Sequence, residues 1–289
     1  MQFFRYSEDR IPVLILVSYF AVNVLVYFYV QNIWLLILWT LAGIIPKGWI
    51  SAWNHHHQHV MTFRQPLLNR LIEIPYTLIT GISTHAWMLH HVVGHHMNYL
   101  DQSKDESAWK TPGGRTMGEI EYTFVIAATA YPRAFKVGLR HPKHFRTFVL
   151  MGLVHLSILA AFFYYDWVNA LFVWLLPMII SVHMVTWATF DHHSGLETED
   201  HFKASYNIMD KWYNLATLNL GYHTAHHYRQ AVHWSKLPEL HADIAKNIPP
   251  ELYRPAGAPF NWFYGLRRLV TGMEAPKPLP ELETAEAYS

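Results

Sequence analysis

The stretch IPVLILVSYFAVNVLVYFYVQNIWLLILWTLAGII, residues 11–45, is almost entirely apolar, and its main polar interruption is the pair Gln31-Asn32. A membrane-spanning helix needs about 20 predominantly apolar residues, so this stretch is long enough for two spans joined by a turn at Gln31-Asn32. Pro46 and Lys47 follow it and are expected to close the hairpin. The sequence therefore predicts that the fold begins with a transmembrane hairpin.

A second apolar region begins at Phe148 and ends near Thr189, with Tyr164, Tyr165 and Asp166 close to its middle. It has the length of a second hairpin. The composition agrees, because 52% of the residues are hydrophobic and only 15% are charged, against about 25% in typical soluble domains. We expect an all-α integral membrane protein with four spans, at about residues 11–30, 33–50, 148–164 and 168–190.

The distribution of basic residues predicts the orientation in the membrane. Neither hairpin turn contains a lysine or an arginine, and all 22 lie outside the hairpins. Because cytoplasmic segments are enriched in these residues, we expect a multi-pass protein with its termini and its long connections in the cytoplasm. The prediction is a single domain, residues 1–289, made of two hairpins, a cytoplasmic helical cap at about 51–146 and 190–272, and a tail at 273–289.

The composition also excludes several kinds of site and partner. The chain has no cysteine, which excludes disulfides, thiolate metal sites, thiol catalysis and cysteine-ligated iron–sulfur clusters. Its formal net charge is +1, and it has no basic stripe or nucleic-acid-reading motif, so no nucleic-acid partner is expected. A bound metal must be held by nitrogen and oxygen atoms.

Fourteen of the 21 histidines lie in four short clusters: NHHHQH (54–59), HHVVGHH (90–96), DHH (191–193) and HTAHHYRQAVH (223–233). In an α-helix, residues four apart share a face, so the spacing directs His55 and His59, and likewise His91 and His95, to a common point. Neutral imidazole is the commonest metal ligand, and this many imidazoles exceed what one ion binds. The pattern predicts two metal ions in the cap. A histidine-rich metal transporter is the alternative from another class, but its ligands should lie within the spans.

Three clusters resemble, in order and spacing, the histidine boxes of the membrane fatty acid desaturase/hydroxylase superfamily, including its alkane-monooxygenase branch. The boxes read HHHQH (55–59), HVVGHH (91–96) and HTAHH (223–227), and DHHSGL (191–196) is similar to the family's element with an extra ligand histidine. The resemblance covers about residues 11–240. It implies metal ligands at His55, His59, His91, His95, His96, His193, His223, His226 and His227, with His56, His57 and His192 as alternatives.

The same resemblance implies a non-haem diiron centre, with two iron ions, that uses O2 as co-substrate to desaturate or hydroxylate a fatty acyl or alkyl chain. Oxidative decarboxylation of a fatty acid to a terminal alkene, alkane oxidation and carotenoid oxidation are alternatives on the same scaffold. The sequence has no flavin, dinucleotide or haem motif. The electrons are therefore expected from a separate donor, a ferredoxin, rubredoxin or cytochrome with its reductase. The other expected partners are the membrane and the lipid or fatty acyl substrate.

Some side chains near the boxes allow two interpretations. The acids Asp191, Asp101, Asp105 and Glu106 orient ligand histidines, or the last three form a solvated acidic loop. The aromatic residues Trp53, Trp87, Tyr222 and Trp234 line a substrate tunnel or anchor the protein at the interface. The basic residues Arg133, Lys136, Arg140, Lys143 and Arg146 dock an acidic donor or acyl carrier, or attract anionic lipid. Residues 66–87 are typical of a helix on the bilayer surface, and residues 260–270 of an interfacial helix or one packed on the domain.

Overall fold

The fold is helical throughout the part of the chain that the structure describes. The structure is a computed structural model that describes residues 3–261, and no β-strand occurs among them. The chain divides into two compact units, of which the first ends at Gly195 and the second begins at Leu196. The predicted tail, 273–289, and nearly all of the predicted interfacial helix, 260–270, lie outside the described residues.

The first unit begins with the predicted hairpin. It consists of helices α1 (Arg10–Tyr29), α2 (Ile33–Ala42) and α3 (Ile44–His59). The side chain of Asn32 accepts hydrogen bonds from the backbone N–H groups of Trp34 at 2.9 Å and Leu35 at 3.3 Å. Asn32 therefore caps α2 and ends the turn that the sequence places at Gln31-Asn32. Helices α2 and α3 meet with a bend of 48°.

The connection after the first hairpin holds helix α4 (Pro66–Thr80), a π-helix (Trp87–His96) and helix α5 (Glu119–Gly138). The sequence predicts that residues 66–87 lie on the bilayer surface, but Tyr76 and the four residues after it are all buried within the unit. Near its start α4 exposes Leu67 and Leu71, and a longer exposed apolar face belongs to α5. It is formed by Ile120, Phe124, Tyr131, Phe135 and Leu139, whose spacing is typical of one face of a helix.

The second hairpin follows α5. Helix α6 (Pro142–Tyr165) ends at Asp166, whose side chain accepts a hydrogen bond from the backbone N–H of Asn169 at 3.0 Å. The chain then returns through the short helix α7 (Trp167–Asn169), a π-helical turn (Ala170–Leu175) and helix α8 (Leu176–His193). This tight turn explains why the second apolar region tolerates a charged residue near its middle.

Three helical segments are long and apolar enough to cross a membrane: Ser7–Tyr29, Pro142–Tyr165 and Trp167–His193. The bent pair Ile33–Ala42 and Ile44–His59 makes a fourth if it counts as one span. An all-helical membrane protein with three or four candidate spans is therefore confirmed. Two spanning segments extend beyond the predicted ends, and they finish at His59 and at His193. The histidines of two clusters are thus carried on continuous extensions of spanning helices.

Buried polar contacts tie the two hairpin turns together. The hydroxyl of Tyr27 donates to the carbonyl of Phe162 at 2.6 Å. The side-chain amide of Asn169 donates to the carbonyls of Tyr27 at 2.7 Å and Val30 at 2.8 Å. A bilayer offers no water to satisfy such groups, so each bond favours this one pairing of the hairpins. The surrounding core is apolar, and its buried members are Tyr27, Leu36, Leu78, Ala170, Val173 and Trp174.

The sequence predicts that Pro46 and Lys47 close the first hairpin, but both lie inside α3. Pro46 is tolerated because it occupies the first turn, where its missing N–H has no helical partner. Lys47 is only 1% exposed, and its ammonium donates to the carbonyl of Val173 at 3.3 Å. That carbonyl lies in the π-helical turn Ala170–Leu175 that leads into α8. The buried lysine therefore has a backbone partner within the first unit.

The second unit is smaller and contains three short α-helices in its described part: α9 (Lys211–Thr217), α10 (His223–Tyr228) and α11 (Leu237–Ile244). Helix α10 carries the third histidine box and packs on α11. Ala225 is the residue of α10 that enters the core of this unit. The other buried members of that core are Leu237, Leu240, Ile244, Ile248 and Leu252.

Candidate metal centre

Box 1 occupies the last turns of α3. His55 and His59 are four residues apart, and their ring centroids lie 4.7 Å from each other. His55 is buried and His59 is half-buried. The helical period therefore brings these two imidazoles together, as the spacing predicts.

Box 2 does not form the α-helix that the spacing argument assumes, because residues Trp87–His96 are π-helical. The hydrogen bonds of a π-helix connect residues i and i+5, so residues five apart are neighbours on its surface, as residues four apart still are. The ring centroids of His91 and His95 lie 5.1 Å apart, and Nε2 of His91 lies 2.9 Å from Nε2 of His96. The sequence groups His91 with His95, whereas the nitrogens that could hold one ion are those of His91 and His96, with His95 in a separate group.

The imidazoles of boxes 1 and 2 form a group of four. The ring nitrogens that His55, His59, His91 and His96 offer all lie within 4.8 Å of one another. Two nitrogens bound to one ion at about 2.0–2.1 Å are separated by roughly 2.9–3.4 Å, for angles between octahedral and tetrahedral. The 2.9 Å between His91 and His96 falls in this range. The group therefore fits a metal ion bound by nitrogen.

A second group forms around His95. Its Nε2 lies 3.3 Å from Nε2 of His193, a separation that also fits two ligands of one ion. Its Nδ1 lies 2.8 Å from Oδ1 of Asp105, and all three residues are buried. A carboxylate on Nδ1 holds the imidazole so that Nε2 points at the metal position. Asp105 is the predicted acid that the structure places against a box histidine.

Gly94 brings the loop with Asp105 close to box 2. A Cβ atom at Gly94 would lie 2.7 Å from Cγ of Glu106, so only glycine allows this close approach. The backbone N–H of Glu106 donates to the carbonyl of Gly94 at 3.2 Å. These two contacts fix the position of Glu106, the residue next to Asp105. They thereby place the carboxylate of Asp105 beside His95.

None of the three alternative ligands is a member of the two groups described for the first unit. His57 is directed toward α4, where its ring nitrogens lie 2.9 Å from the hydroxyl of Thr62 and 3.3 Å from Glu73. The ring of His56 stacks on that of His55, with centroids 5.1 Å apart. His192 is buried next to His193, and it is His193 whose ring nitrogen faces His95.

Glu73 of α4 is the buried carboxylate that holds the helix of box 1. Its oxygens accept from Arg70 at 2.9 Å, Thr84 at 2.8 Å and Gln58 at 3.2 Å, and one lies 3.3 Å from His57. Burial alone would raise the pKa of Glu73, but the hydrogen bonds and positive charges around it outweigh burial and lower the pKa. Sequence reasoning missed this residue, although a lone acid in the apolar run LIEIPY was a usable signal.

We expect Glu73→Gln to lower the stability of the folded protein by about 1–3 kcal/mol, because hydrogen bonds to a buried charge are lost. A lowered pKa in the folded state means that Glu73 stabilises the protein above its ordinary pKa and ceases to do so as the pH falls through the folded-state value. The midpoint of thermal unfolding in detergent, measured at neutral and at acidic pH, checks this.

The matched control for Glu73→Gln is Glu121→Gln, which removes an exposed ion pair with Arg115. Exposed pairs contribute little to stability, so its midpoint should stay near that of the parent. Equal effects of the two substitutions would show that the Glu73 contacts do not hold the box 1 helix.

The other predicted acids have different surroundings. The side chain of Asp101 is 42% exposed and pairs with Lys104 at 2.7 Å, which agrees with a solvated loop. Glu106 lies 3.8 Å from Arg133 and makes the contact with Gly94 described above. Asp191 is half-buried in the last turn of α8, two residues before His193.

Box 3 lies on α10 in the second unit. Ring centroids of His223 and His227 lie 4.7 Å apart, and those of His223 and His226 lie 5.7 Å apart. All three imidazoles are buried. Asn207 fixes the start of this helix, because its side chain accepts from the backbone N–H of Thr224 at 3.0 Å and donates to the Thr224 hydroxyl at 2.8 Å.

Gly221, two residues before box 3, has no room for a side chain. A Cβ atom there would lie 2.0 Å from the carbonyl oxygen of Ile208 and 2.7 Å from Asn214. We expect Gly221→Ala to destabilise the folded protein by about 3 kcal/mol or more, because the clash is with backbone that cannot move without breaking its own bonds. The midpoint of thermal unfolding checks this. Gly257→Ala, in the same unit and with nothing within 4 Å of its Cβ position, should remain near the parent.

A narrow cavity of about 50 Å³ lies between the π-helix of box 2, α5 and α8. Trp87 and His91 line it at the metal side, so Trp87 is the predicted tunnel residue that borders a cavity in the first unit. Trp53 is buried in α3. In the second unit, Tyr222 packs on His241 and Trp234 on His233.

His90, which sequence reasoning did not single out, also lines the cavity. Burial, followed by the charge of Arg133, lowers the pKa of His90 to about 3.

The sequence model of the fatty acid desaturase family matches residues 31–261 of the chain. No curated protein and no solved structure matches it significantly. The matched segment covers most of the chain and contains all three histidine boxes together with His193, the residues whose spacing carries the resemblance. Membership in this family implies oxidoreductase activity in general, and the grouped imidazoles are compatible with the metal that such activity uses. The chain therefore belongs to the fatty acid desaturase family.

Proposed function

We propose that this protein is a membrane-bound non-haem diiron oxidoreductase that uses O2 to desaturate or hydroxylate a fatty acyl or alkyl chain. The observation that carries the proposal is the pair of imidazole groups in the first unit, one with His55, His59, His91 and His96, the other with His95 and His193. Two separate groups agree with two ions. Nitrogen ligands without thiolates suit iron among other metals, and the family supplies the choice of iron.

The proposed ligand set has nine histidines. Six come from the two groups just named, and His223, His226 and His227 are carried over from the family's third box. Bound iron would supply the oxidising power that no amino-acid side chain has. The chain's own residues have simpler roles: Asp105 accepts a hydrogen bond from the Nδ1–H of His95 and so fixes the tautomer of that ring, and Trp87 and His91 border the space next to the metal position.

The proposed arrangement in the membrane is two hairpins with a cytoplasmic helical cap. The bent pair α2–α3 then counts as one span. The absence of lysine and arginine from both hairpin turns supports cytoplasmic termini and a cytoplasmic active site. Lys47 does not weaken this argument, because it is buried in the first unit and bonded to a backbone carbonyl.

The proposed electron donor is a separate ferredoxin, rubredoxin or cytochrome. Of the five basic residues considered for docking, Arg133 is partly neutralised by Glu106. The other four, Lys136, Arg140, Lys143 and Arg146, are exposed. Lys136 lies in the last turn of α5 and the other three follow that helix. Their position next to the apolar face of α5 favours contact with anionic lipid, while docking of an acidic donor uses the same charges.

The test of the proposed function is the iron content and Mössbauer spectrum of the purified protein, for the parent and for His226→Ala. About two coupled high-spin irons per chain, lost in the variant, are expected. His183→Ala is the control, because its ring bonds the carbonyl of Ile179 within α8. Lipid profiling of expressing cells then distinguishes new double bonds, hydroxyls, terminal alkenes and oxidised carotenoids. One zinc per chain, or a folded protein without iron, would contradict the proposal and favour a transporter.

A further inference from the structure

Helix α5 exposes an apolar face that its own unit does not cover. Its opposite face packs in a core that includes Ala134 and Val137, so the helix cannot bury the exposed face by rotating. Helix α6, which follows α5 in the chain, also exposes apolar side chains near its start, at Val149, Leu150 and Leu153. They belong to a segment that is apolar enough to cross a membrane. An exposed apolar surface of this kind marks contact with lipid or with another protein.

The position of α5 is fixed across the second hairpin. The ring of Phe124 packs on His183 of α8, with centroids 4.9 Å apart, and the ring of Phe135 packs on Phe145 of α6 at 4.8 Å. Phe145 lies near the start of α6, and His183 lies in the second half of the candidate span Trp167–His193. Both contacts are therefore toward the open end of the hairpin. Since α5 is not itself a candidate span, we expect it to lie along the membrane surface at that end.

Exposed basic side chains surround the end of α5. They are Lys136, Arg140, Lys143 and Arg146. Residues 122–165 contain no aspartate or glutamate, and within the described part of the chain none of the four cations forms an ion pair. Arg133 differs from them, because it pairs with Glu106. Phe135 and Leu139, which are both exposed, stand directly before two of the cations, so the charges border the apolar face.

We infer that the turn between α5 and α6 and the apolar face of α5 form a binding site for an anionic phospholipid. The phosphate meets the four cations, and the acyl chains cover the apolar face. An acidic electron donor matches the charges but leaves Phe135 and Leu139 exposed between encounters, whereas lipid covers them permanently. Anionic lipid therefore fits both halves of the surface. The inference goes beyond the proposed function, because it involves neither the metal ions nor the reaction.

The first experiment quantifies the phospholipid that stays bound to the purified protein in a neutral detergent with equal amounts of phosphatidylglycerol and phosphatidylcholine. The parent is expected to retain phosphatidylglycerol in preference by about fivefold or more, roughly the attraction that one basic residue adds at an anionic surface. A variant with glutamine at all four cationic positions should bring the ratio close to one. The preference of the parent should also weaken at high salt, which screens exposed charges.

The matched control removes four exposed lysines elsewhere in the chain, by Lys104→Gln, Lys203→Gln, Lys236→Gln and Lys246→Gln. It changes the net charge by the same amount and should keep the preference of the parent. A midpoint of thermal unfolding equal to that of the parent confirms that each variant is folded, because substitutions of exposed residues cost little stability.

The second experiment locates the apolar face of α5 in vesicles that contain both lipids. The chain has no cysteine, so Phe124→Cys and Phe135→Cys each provide a single site for a spin label. O2 concentrates in lipid, and a nickel complex stays in water. Labels at these two positions should be relaxed more by O2 than by the nickel complex. A label introduced by Lys104→Cys, on an exposed loop, should show the reverse.

Two results would overturn the inference: a fourfold variant that keeps the preference for phosphatidylglycerol, or labels on α5 that are relaxed more by the nickel complex. If that variant keeps the lipid preference but no longer binds an acidic ferredoxin, the four cations dock the donor instead. Failure of the proposed function is distinguishable from these results. A folded parent without iron that still shows the lipid preference contradicts the proposed function alone.

Discussion

Replacing His95 with alanine is expected to lower the affinity of the protein for metal more than about 100-fold, because even residues that only orient a ligand cost 10–100-fold when they are changed. The Nε2 of His95 lies 3.3 Å from that of His193, so both imidazoles should be needed by the same ion. Oxidation of the fatty acyl or alkyl substrate should fall to the background rate. Iron per chain after equilibration with a chelator, together with product formation, measures the effect.

The matched pair for this prediction is His193→Ala and His192→Ala. The two residues are adjacent at the end of α8 and both are buried, but His193 is the one that faces His95. His193→Ala should reproduce the loss seen with His95→Ala, and His192→Ala should keep more metal. The reverse pattern would assign the extra ligand to His192 and contradict the grouping of the second site.

Replacing Asp105 with asparagine is expected to lower metal affinity 10–100-fold, the usual range for a residue that orients a ligand histidine. The carboxylate lies 2.8 Å from Nδ1 of His95. Without the negative charge of Asp105, the imidazole of His95 is less basic. It also loses its preference for the tautomer that leaves Nε2 free to bind metal. Metal affinity by competition with a chelator checks the size of the effect.

Asp101→Asn is the control on the same loop. Asp101 is partly exposed and makes its contacts with Ser103 and Lys104, so its replacement should leave metal affinity unchanged. Both acids follow box 2 in the sequence, and sequence reasoning could not rank them. Equal losses in the two variants would contradict the role of Asp105 as the partner of His95.

The apolar runs and the histidine clusters could be predicted because both are local properties of the sequence. A helix that crosses a bilayer must bury its backbone in its own hydrogen bonds and cover them with apolar side chains over a set length. The spans at 11–30 and 148–164 and the turn at Asn32 could therefore be predicted from the sequence. The roles of Glu73 and Lys47 were not predicted, because their partners are distant in the sequence. Apart from Arg70, the partners of Glu73 lie 11–16 residues away, and the partner of Lys47 lies 126 residues away.

The choice of which helix lies on the surface also depends on contacts between residues that are far apart in the sequence. Residues 66–87 and α5 both contain mixed polar and apolar residues. Sequence alone favours the first as the surface helix, yet α4 buries its second half and α5 exposes a longer apolar face. Which of two amphipathic segments is covered depends on the helices that pack on it, and those are separated from it along the chain.

The sequence by itself determined that this protein is a helical membrane protein with histidine boxes, because hydropathy over a span and histidine density need no tertiary contacts to be recognised. Only the tertiary structure decided which imidazoles meet. An α-helical period groups His91 with His95, whereas the π-helix groups His91 with His96 and leaves His95 to Asp105 and His193. A π-helix is rare, and nothing in the local sequence predicts it. Its setting here includes the close packing of Glu106 on Gly94, a contact between segments that only the fold brings together.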